Sequence, residues 1–248
     1  MYKAVTFDFW NTLIYEERGH LRGRRLDAWA GILEEAGYTT EREQLAAVFD
    51  RAWETYLTSW HANEQFQSAQ AAEQMVEHLG YQVPSDVRIE LIDAFVGAGQ
   101  GAELHLCDGV AECVATLKGA GLRLGIICDV GFTPSHLLRA HLSGRGLLDQ
   151  FDQLSFSDEV GAYKPSPVIF QHSLAGLGRP NPEEVVHVGD LRRTDVAGAR
   201  GMGITSVRYT GIFDDDSVDQ PEADHVIADH RLLPGIVLGD GQENSAAS

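Results

Sequence analysis

One pattern limits what this chain can fold into. Short β-branched and aromatic runs at residues 3–9, 122–128, 185–188 and 204–208 alternate with helix-period segments at 110–117, 133–141, 165–177 and 195–203. Parallel strands need a crossover that returns the chain to the same edge, so such alternation describes a sheet with helices on both faces. The fold class is α/β, a doubly wound, Rossmann-like parallel sheet. The alternation is interrupted once. From about residue 20 to residue 95 there is no convincing strand, only successive amphipathic patterns: Leu26, Trp29, Ala30 and Leu33, then Leu45, Val48, Phe49, Ala52 and Trp53. The expected organisation is an α/β core of residues 1–16 and 100–238, an all-helical insertion of residues 17–99, and a flexible polar tail at 239–248. The insertion leaves through a glycine-rich segment, residues 97–101, whose GxGxG spacing suits a hinge; the dinucleotide-binding GxGxxG is not met.

Composition narrows the partners. With 248 residues and 44% hydrophobic content the chain can bury a sizeable core. Nineteen Lys and Arg against 37 Asp and Glu give a net charge of −18, a field that repels phosphate backbones and anionic lipid. Neither nucleic acid nor a membrane is an expected partner. No run approaches the roughly 20 apolar residues of a membrane span, and the amino terminus opens as a strand without a signal segment. The reading is a soluble, cytoplasmic protein. Cys107, Cys113 and Cys128 form no CxxC and leave one thiol over in any pairing, so reduced thiols are expected. No internal repeat, GxSxG elbow or GxxxxGK[ST] loop occurs. No sequence feature sets the oligomeric state.

Open α/β sheets carry their sites at the carboxyl ends of strands. Asp8 ends the first strand in FDFWNTL; Cys128 and Asp129 end the second in GIICDVG; Lys164 precedes a helix in GAYKPSP; Asp190 follows a third strand in VVHVGDLRRTD, with Asp195 five residues on. Three carboxylates and one lysine thus converge on one rim. Like charges there repel unless Lys164 and a divalent cation offset them. Oxygen-only ligands suit Mg²⁺, which keeps several waters and takes one or two carboxylates plus phosphate oxygens.

These four segments, in this order and each at a strand or helix end, resemble the motifs of the haloacid dehalogenase-like hydrolase superfamily, and the resemblance covers essentially the whole chain. It implies that residues 17–99 are the family's small mobile cap domain. It also implies that Asp8 is the nucleophile, forming an aspartyl-phosphate with a small phosphorylated substrate, and that Lys164 holds the nucleophile and the phosphoryl group. Thr12 would hydrogen-bond near the nucleophile, and Cys128 and Asp129 would contact substrate. Mg²⁺ would take Asp8, the carbonyl of Trp10, Asp190 and Asp195, the last through a water or as an orienting group. Asn11 stands where the family has glycine, and Asn tolerates a left-handed backbone.

Two departures bear on activity. The family's phosphatases carry a general acid/base aspartate two positions after the nucleophile, and here that position is Trp10. General acid/base catalysis is worth about 10²–10⁴-fold, so acyl and aryl phosphates should suffer less than alkyl phosphates. Cys128 replaces a Ser or Thr and is the weaker donor. Dehalogenases of the superfamily also lack the second aspartate, which makes a 2-haloacid dehalogenase-like hydrolase the sharpest rival; a catalytically degenerate binding protein is a third reading. The intact Gly189-Asp190 pair favours the metal-dependent phosphohydrolase.

Several residues have simpler readings. Arg18, Arg22, Arg24 and Arg25 form one basic cluster that could grip a substrate anion, but a solvated helix face is the simpler expectation, and Arg192 and Arg193 share that ambiguity. Trp29, Trp53 and Trp60 fit the interior of the insertion better than a substrate wall. His136 and His141, like His225 and His230, are five apart, one too many for facing ligands on a helix, so no histidine is assigned to metal.

Overall fold

The computed structural model describes residues 1–239. Its strands are β1 (Ala4–Phe7), β2 (Ile14–Tyr15), β3 (His105–Leu106), β4 (Arg123–Cys128), β5 (Gln153–Phe156), β6 (Val185–Gly189), β7 (Thr205–Tyr209) and β8 (His225–Ile227). Four helices, α1 (His20–Glu35), α2 (Arg42–Ala62), α3 (Ser68–Glu77) and α4 (Ser85–Gly97), lie between β2 and β3. Six more follow: α5 (Val110–Gly119), α6 (Ser135–Ser143), α7 (Ser157–Val160), α8 (Pro167–Gly176), α9 (Ala197–Gly201) and α10 (Leu233–Leu238).

β2 and β3 pair as a small antiparallel ribbon, and the other strands form one parallel sheet in the order β5-β4-β1-β6-β7-β8. β1, with all four residues buried, has the two-faced apolar character of a central parallel strand. Strand order reverses at β1 and β6, the point where open α/β sheets open a crevice for ligands. Phe7 pairs with Ile126 of β4 and Val188 of β6, so the next residue, Asp8, leaves the sheet between them. Its amide donates to the Val188 carbonyl at 2.7 Å.

The α/β reading stands, with differences in detail. β5 and β8 escape the sequence pattern because QLSF and HVI are short edge strands. The helix anticipated at 195–203 starts earlier, as a π-turn over Arg192–Val196 that runs into α9. π-turns insert an extra residue and often mark functional sites. No helix among the described residues is long and apolar enough to cross a membrane. Of the expected tail, residues 240–248 lie outside the described residues.

The strandless stretch is helical throughout and has its own apolar cluster, with Trp29, Leu45, Phe49, Met75, Leu91 and Phe95 among its members. Trp29 is fully buried and its indole N–H donates to the Leu91 carbonyl at 2.8 Å. Truncating such a residue to Ala costs about 3–5 kcal/mol. Phe132 and Tyr163, from the sheet side, join this cluster, so the two bodies meet through an aromatic seam. The glycine-rich exit is pinned: Arg24 donates to the Ala98 and Gln100 carbonyls at 2.9 and 3.0 Å, and His141 Nε2 bonds the Gly99 carbonyl at 2.8 Å.

Candidate active site

The turn after β1 sets the nucleophile position. The Asn11 amide donates to the Ile14 carbonyl at 2.8 Å, and the Leu13 and Ile14 amides donate to the Phe9 carbonyl at 2.9 and 3.0 Å. This geometry places Asn11 in the left-handed region, φ 56, the conformation anticipated for it. Thr12 differs from expectation. Its hydroxyl is buried without a partner among the described residues, and its carbonyl does the bracing by accepting from His230 Nε2 at 2.7 Å.

Asp8, Asp190 and Asp195 each present a carboxylate oxygen within 4.8 Å of the other two, and all three are buried. Lys164, 2% exposed, donates to Asp8 Oδ1 and, at 2.6 Å, to Asp195 Oδ1. The four side chains that the sequence scatters over nearly 190 positions therefore meet.

Asp195, expected to reach the metal through a water or to act as an orienting group, lies beside Asp8 and Asp190 and meets protein donors on both oxygens. Oδ1 accepts from Lys164 and from His187 Nε2 at 3.1 Å; Oδ2 accepts from the Leu191 amide at 3.0 Å and the Thr194 hydroxyl at 3.3 Å. Both oxygens are filled, so the residue anchors Lys164 and the π-turn. Gly189 is required for this, since any Cβ there would collide with the Asp195 side chain. Burial opposes ionisation of Asp195, but Lys164 and His187 override it and hold the carboxyl well below the usual range. Burial keeps His187 neutral, and its Nδ1 faces the Thr6 hydroxyl at 2.9 Å.

Charge at the site is unbalanced. Burial pushes Asp8 up to about 7, with Lys164 pulling the other way. Burial, reinforced by the charges of Asp8 and Asp195, pushes Asp190 well above the carboxylate range. Lys164, which burial alone would discharge, is kept charged by Asp195 and Asp8. One ammonium thus serves two carboxylates, while among the described residues Asp190 has only the Asn11 side-chain amide, at 3.4 Å. The Trp10 carbonyl accepts no hydrogen bond from the described residues. Asp8, Asp190 and this carbonyl make an under-neutralised set of hard oxygen donors, the chemistry a small divalent cation fits.

Asp129, expected to contact substrate, borders the cavity with one protein donor already on each oxygen. Oδ1 accepts the Lys164 amide and Oδ2 the Trp60 indole N–H, both at 2.8 Å, so the carboxylate ties α2 to the loop that carries the lysine. Arg193 of the π-turn stacks its guanidinium 3.8 Å above the Trp60 ring. Cys128 is fully buried and burial holds its thiol protonated, consistent with a small packing residue at a strand end.

A cavity of about 700 Å³ opens above Asp8, Lys164 and Asp190, walled on the helical side by Phe49, Trp53, Tyr56 and Trp60. Trp53 and Trp60 therefore line this space, contrary to their expected place in the interior of the insertion. The basic cluster divides. Arg18, Arg22 and Arg25 border the cavity, with Arg22 paired to Asp50; Arg24 braces the exit segment; Arg25, expected in solvent, is 3% exposed. Its guanidinium donates to the Phe95, Leu21 and Phe132 carbonyls and the Thr133 hydroxyl, stitching helix to loop.

Sequence reasoning missed His187 and Tyr56 and gave His230 and Trp60 no part in the site. A histidine inside the buried VVHVG strand was a usable signal for the first. The others act across the tertiary fold and leave no local pattern.

Comparison with known proteins adds the family. The family model matching residues 2–203 is that of a haloacid dehalogenase-like hydrolase. Pyrimidine 5'-nucleotidase YjjG of Escherichia coli strain K12 is 33% identical over 119 residues, 47% of this chain and 50% of that protein, so the match spans about half of it. (S)-2-haloacid dehalogenase 1 of Pseudomonas sp. strain CBS-3 is 24% identical over 236 residues, 95% of this chain and 96% of the relative. Among solved structures, a HAD phosphatase from Thermococcus onnurineus matches with TM-score 0.62 and 25% identity, covering 96% of this chain and 98% of that one.

Proposed function

The chain belongs to the haloacid dehalogenase-like hydrolases, and we propose that within this family it is a Mg²⁺-dependent phosphohydrolase that cleaves a small phosphorylated metabolite through an aspartyl-phosphate on Asp8. The observation that carries the reading is the charge imbalance: buried Asp8 and Asp190 share one rim with a single ammonium already engaged by Asp8 and Asp195. When bound, Mg²⁺ would supply the missing positive charge to the carboxylates and to the transferring phosphoryl oxygens.

The chain's own groups supply the rest. Lys164 fixes Asp8 Oδ1, leaving Oδ2 to attack phosphorus, and its ammonium offsets charge gathering on the phosphoryl group. Asp195, with His187 behind it, keeps that ammonium aimed. Asp190 and the Trp10 carbonyl would complete the metal's protein donors, and the helical insertion, acting as a cap, shields the reaction from bulk solvent while admitting the water that hydrolyses the intermediate. The relatives' phosphorylated substrates support the class and not a particular substrate.

Trp10 favours one other reading, attack of Asp8 on a carbon–halogen bond, and a full-length dehalogenase relative keeps it in play. A screen of acetyl phosphate, p-nitrophenyl phosphate and 2-chloropropionate, with and without EDTA, separates the two. The phosphohydrolase reading requires phosphate release that EDTA and Asp8→Asn each abolish. Halide release that survives EDTA would replace it.

A further inference from the structure

In-line displacement at phosphorus puts the leaving oxygen opposite the nucleophile. Asp8 attacks from the sheet side of the cavity, so the oxygen that departs faces the helical side, and the group that protonates it must be sought there. Trp10 has no proton of suitable acidity to give. On the helical side most polar groups are spoken for. Asp50 is paired with Arg22, the Glu16 carboxylate accepts the Leu21 amide at 2.6 Å beside Arg25, and Arg25 is committed to carbonyls. The Trp60 indole N–H is given to Asp129.

Arg18 also borders the cavity, but a guanidinium is no proton donor of suitable acidity; among the neutral groups Tyr56 is the exception. It lies on α2, lines the cavity, is 6% exposed, and its hydroxyl has no hydrogen-bond partner among the described residues. Phe132 and Tyr163 set their ring edges against it at centroid distances of 5.5 and 6.3 Å, and Trp60 stacks parallel at 6.5 Å, so the ring is held on three sides. Its phenol end overlies Gly131, where a Cβ would come 3.7 Å from the hydroxyl oxygen. Gly131 follows Asp129 by two residues, which places the hydroxyl at the mouth of the β4 loop.

We propose that the Tyr56 hydroxyl is the proton donor to the leaving-group oxygen, taking the role that the residue at position 10 cannot fill. The inference rests on the phosphohydrolase reading. In the first half-reaction Asp8 Oδ2 bonds to phosphorus, the P–O bond to the leaving group breaks, and that oxygen takes the phenolic proton, giving the free alcohol and a tyrosinate. In the second, the tyrosinate removes a proton from water as the water oxygen attacks phosphorus. The P–O bond to Asp8 breaks, and inorganic phosphate, the Asp8 carboxylate and neutral Tyr56 are restored. Burial, with the charge of Asp129, raises the phenol well above its usual range, so it waits protonated and gives its proton only to a leaving oxygen more basic than itself, such as an alkoxide.

The test is Tyr56→Phe, measured as kcat/KM over alkyl and aryl phosphates of graded leaving-group basicity, because that constant reads P–O bond cleavage and a merely structural role would lower every substrate alike. The expected result is a loss of about 10²-fold on ethyl phosphate, whose leaving oxygen is the more basic, against little change on p-nitrophenyl phosphate, in line with general acid catalysis. In a Trp10→Asp background, where a carboxylate is back at position 10, the same substitution should cost no more than about threefold on ethyl phosphate, a coupling that only a shared role produces. A uniform loss, a change confined to KM, or no change overturns the assignment of Tyr56 while leaving the phosphohydrolase reading standing. A parent enzyme inactive on the whole series defeats that reading, and Tyr56 falls with it.

Discussion

The indole N–H of Trp60, on helix α2, donates to Asp129 Oδ2 at 2.8 Å, while the other oxygen of the same carboxylate holds the Lys164 backbone amide. One side chain therefore links the position of the helical insertion to the loop that delivers the buried ammonium. Hydrogen bonds to a charged group contribute about 1.5–3 kcal/mol. Trp60→Phe removes the donor and keeps the ring under Arg193, so it should raise KM roughly tenfold, the lower end of that range, with a smaller effect on kcat. Steady-state kinetics measures the split; a kcat defect at constant KM would argue against a closing contact.

Lys164→Met should be costly twice. It leaves Asp8 and Asp195 buried with no ammonium between them, and breaking a buried ion pair by removing one partner costs about 3–5 kcal/mol. Urea unfolding should show a loss of that size, and turnover should fall by about 10²-fold or more as the charge opposite the phosphoryl group disappears.

Asp190→Asn gives a metal test that needs no substrate. Asp190 holds its proton in the fold far above the pH at which the unfolded chain loses it, so its ionisation weighs against folding increasingly as pH rises above the ordinary carboxylate range. Without divalent ion, the Asn variant should match or exceed the parent's Tm at pH 7. Adding Mg²⁺ should raise the parent's Tm by several degrees and leave the variant's nearly unmoved, as expected for a ligand that binds only the folded state. Equal shifts in both proteins would place the ion elsewhere.

His230 should make the protein acid-sensitive. It is fully buried, stacked on Tyr209, and its Nδ1 is unpartnered; burial lowers it to about 4. As pH falls below about 6.5 the unfolded chain takes up the proton and the folded chain does not until near 4, so stability drops across that window and levels off below it. The drop attributable to this one residue is about 3 kcal/mol, from 1.36 kcal/mol per pH unit. In His230→Gln, whose amide can keep the bond to the Thr12 carbonyl, denaturant titrations from pH 7 to 4 should show a shallower fall by that amount.

Much of this was legible in the chain. The alternation of strands and helices gave the parallel sheet, the strandless stretch gave the helical insertion, and residues 8, 164, 190 and 195 do meet, because topology obliges the carboxyl ends of parallel strands to share an edge. The edge strands β5 and β8 were too short to register. Whether Asp195 would face a metal or be saturated by protein donors depends on the π-turn that brings Leu191 and Thr194 to it, a geometry no local pattern announces. Tyr56 and Trp60 look like any aromatics at helical spacing until α2 is docked over the sheet.

The most direct test of the account is rapid-quench mass spectrometry of the protein mixed with Mg²⁺ and acetyl phosphate or p-nitrophenyl phosphate. The account predicts a transient phosphoryl adduct that maps to Asp8 and is absent with EDTA or in Asp8→Asn. Phosphate release with no adduct, or an adduct on any other residue, would contradict it.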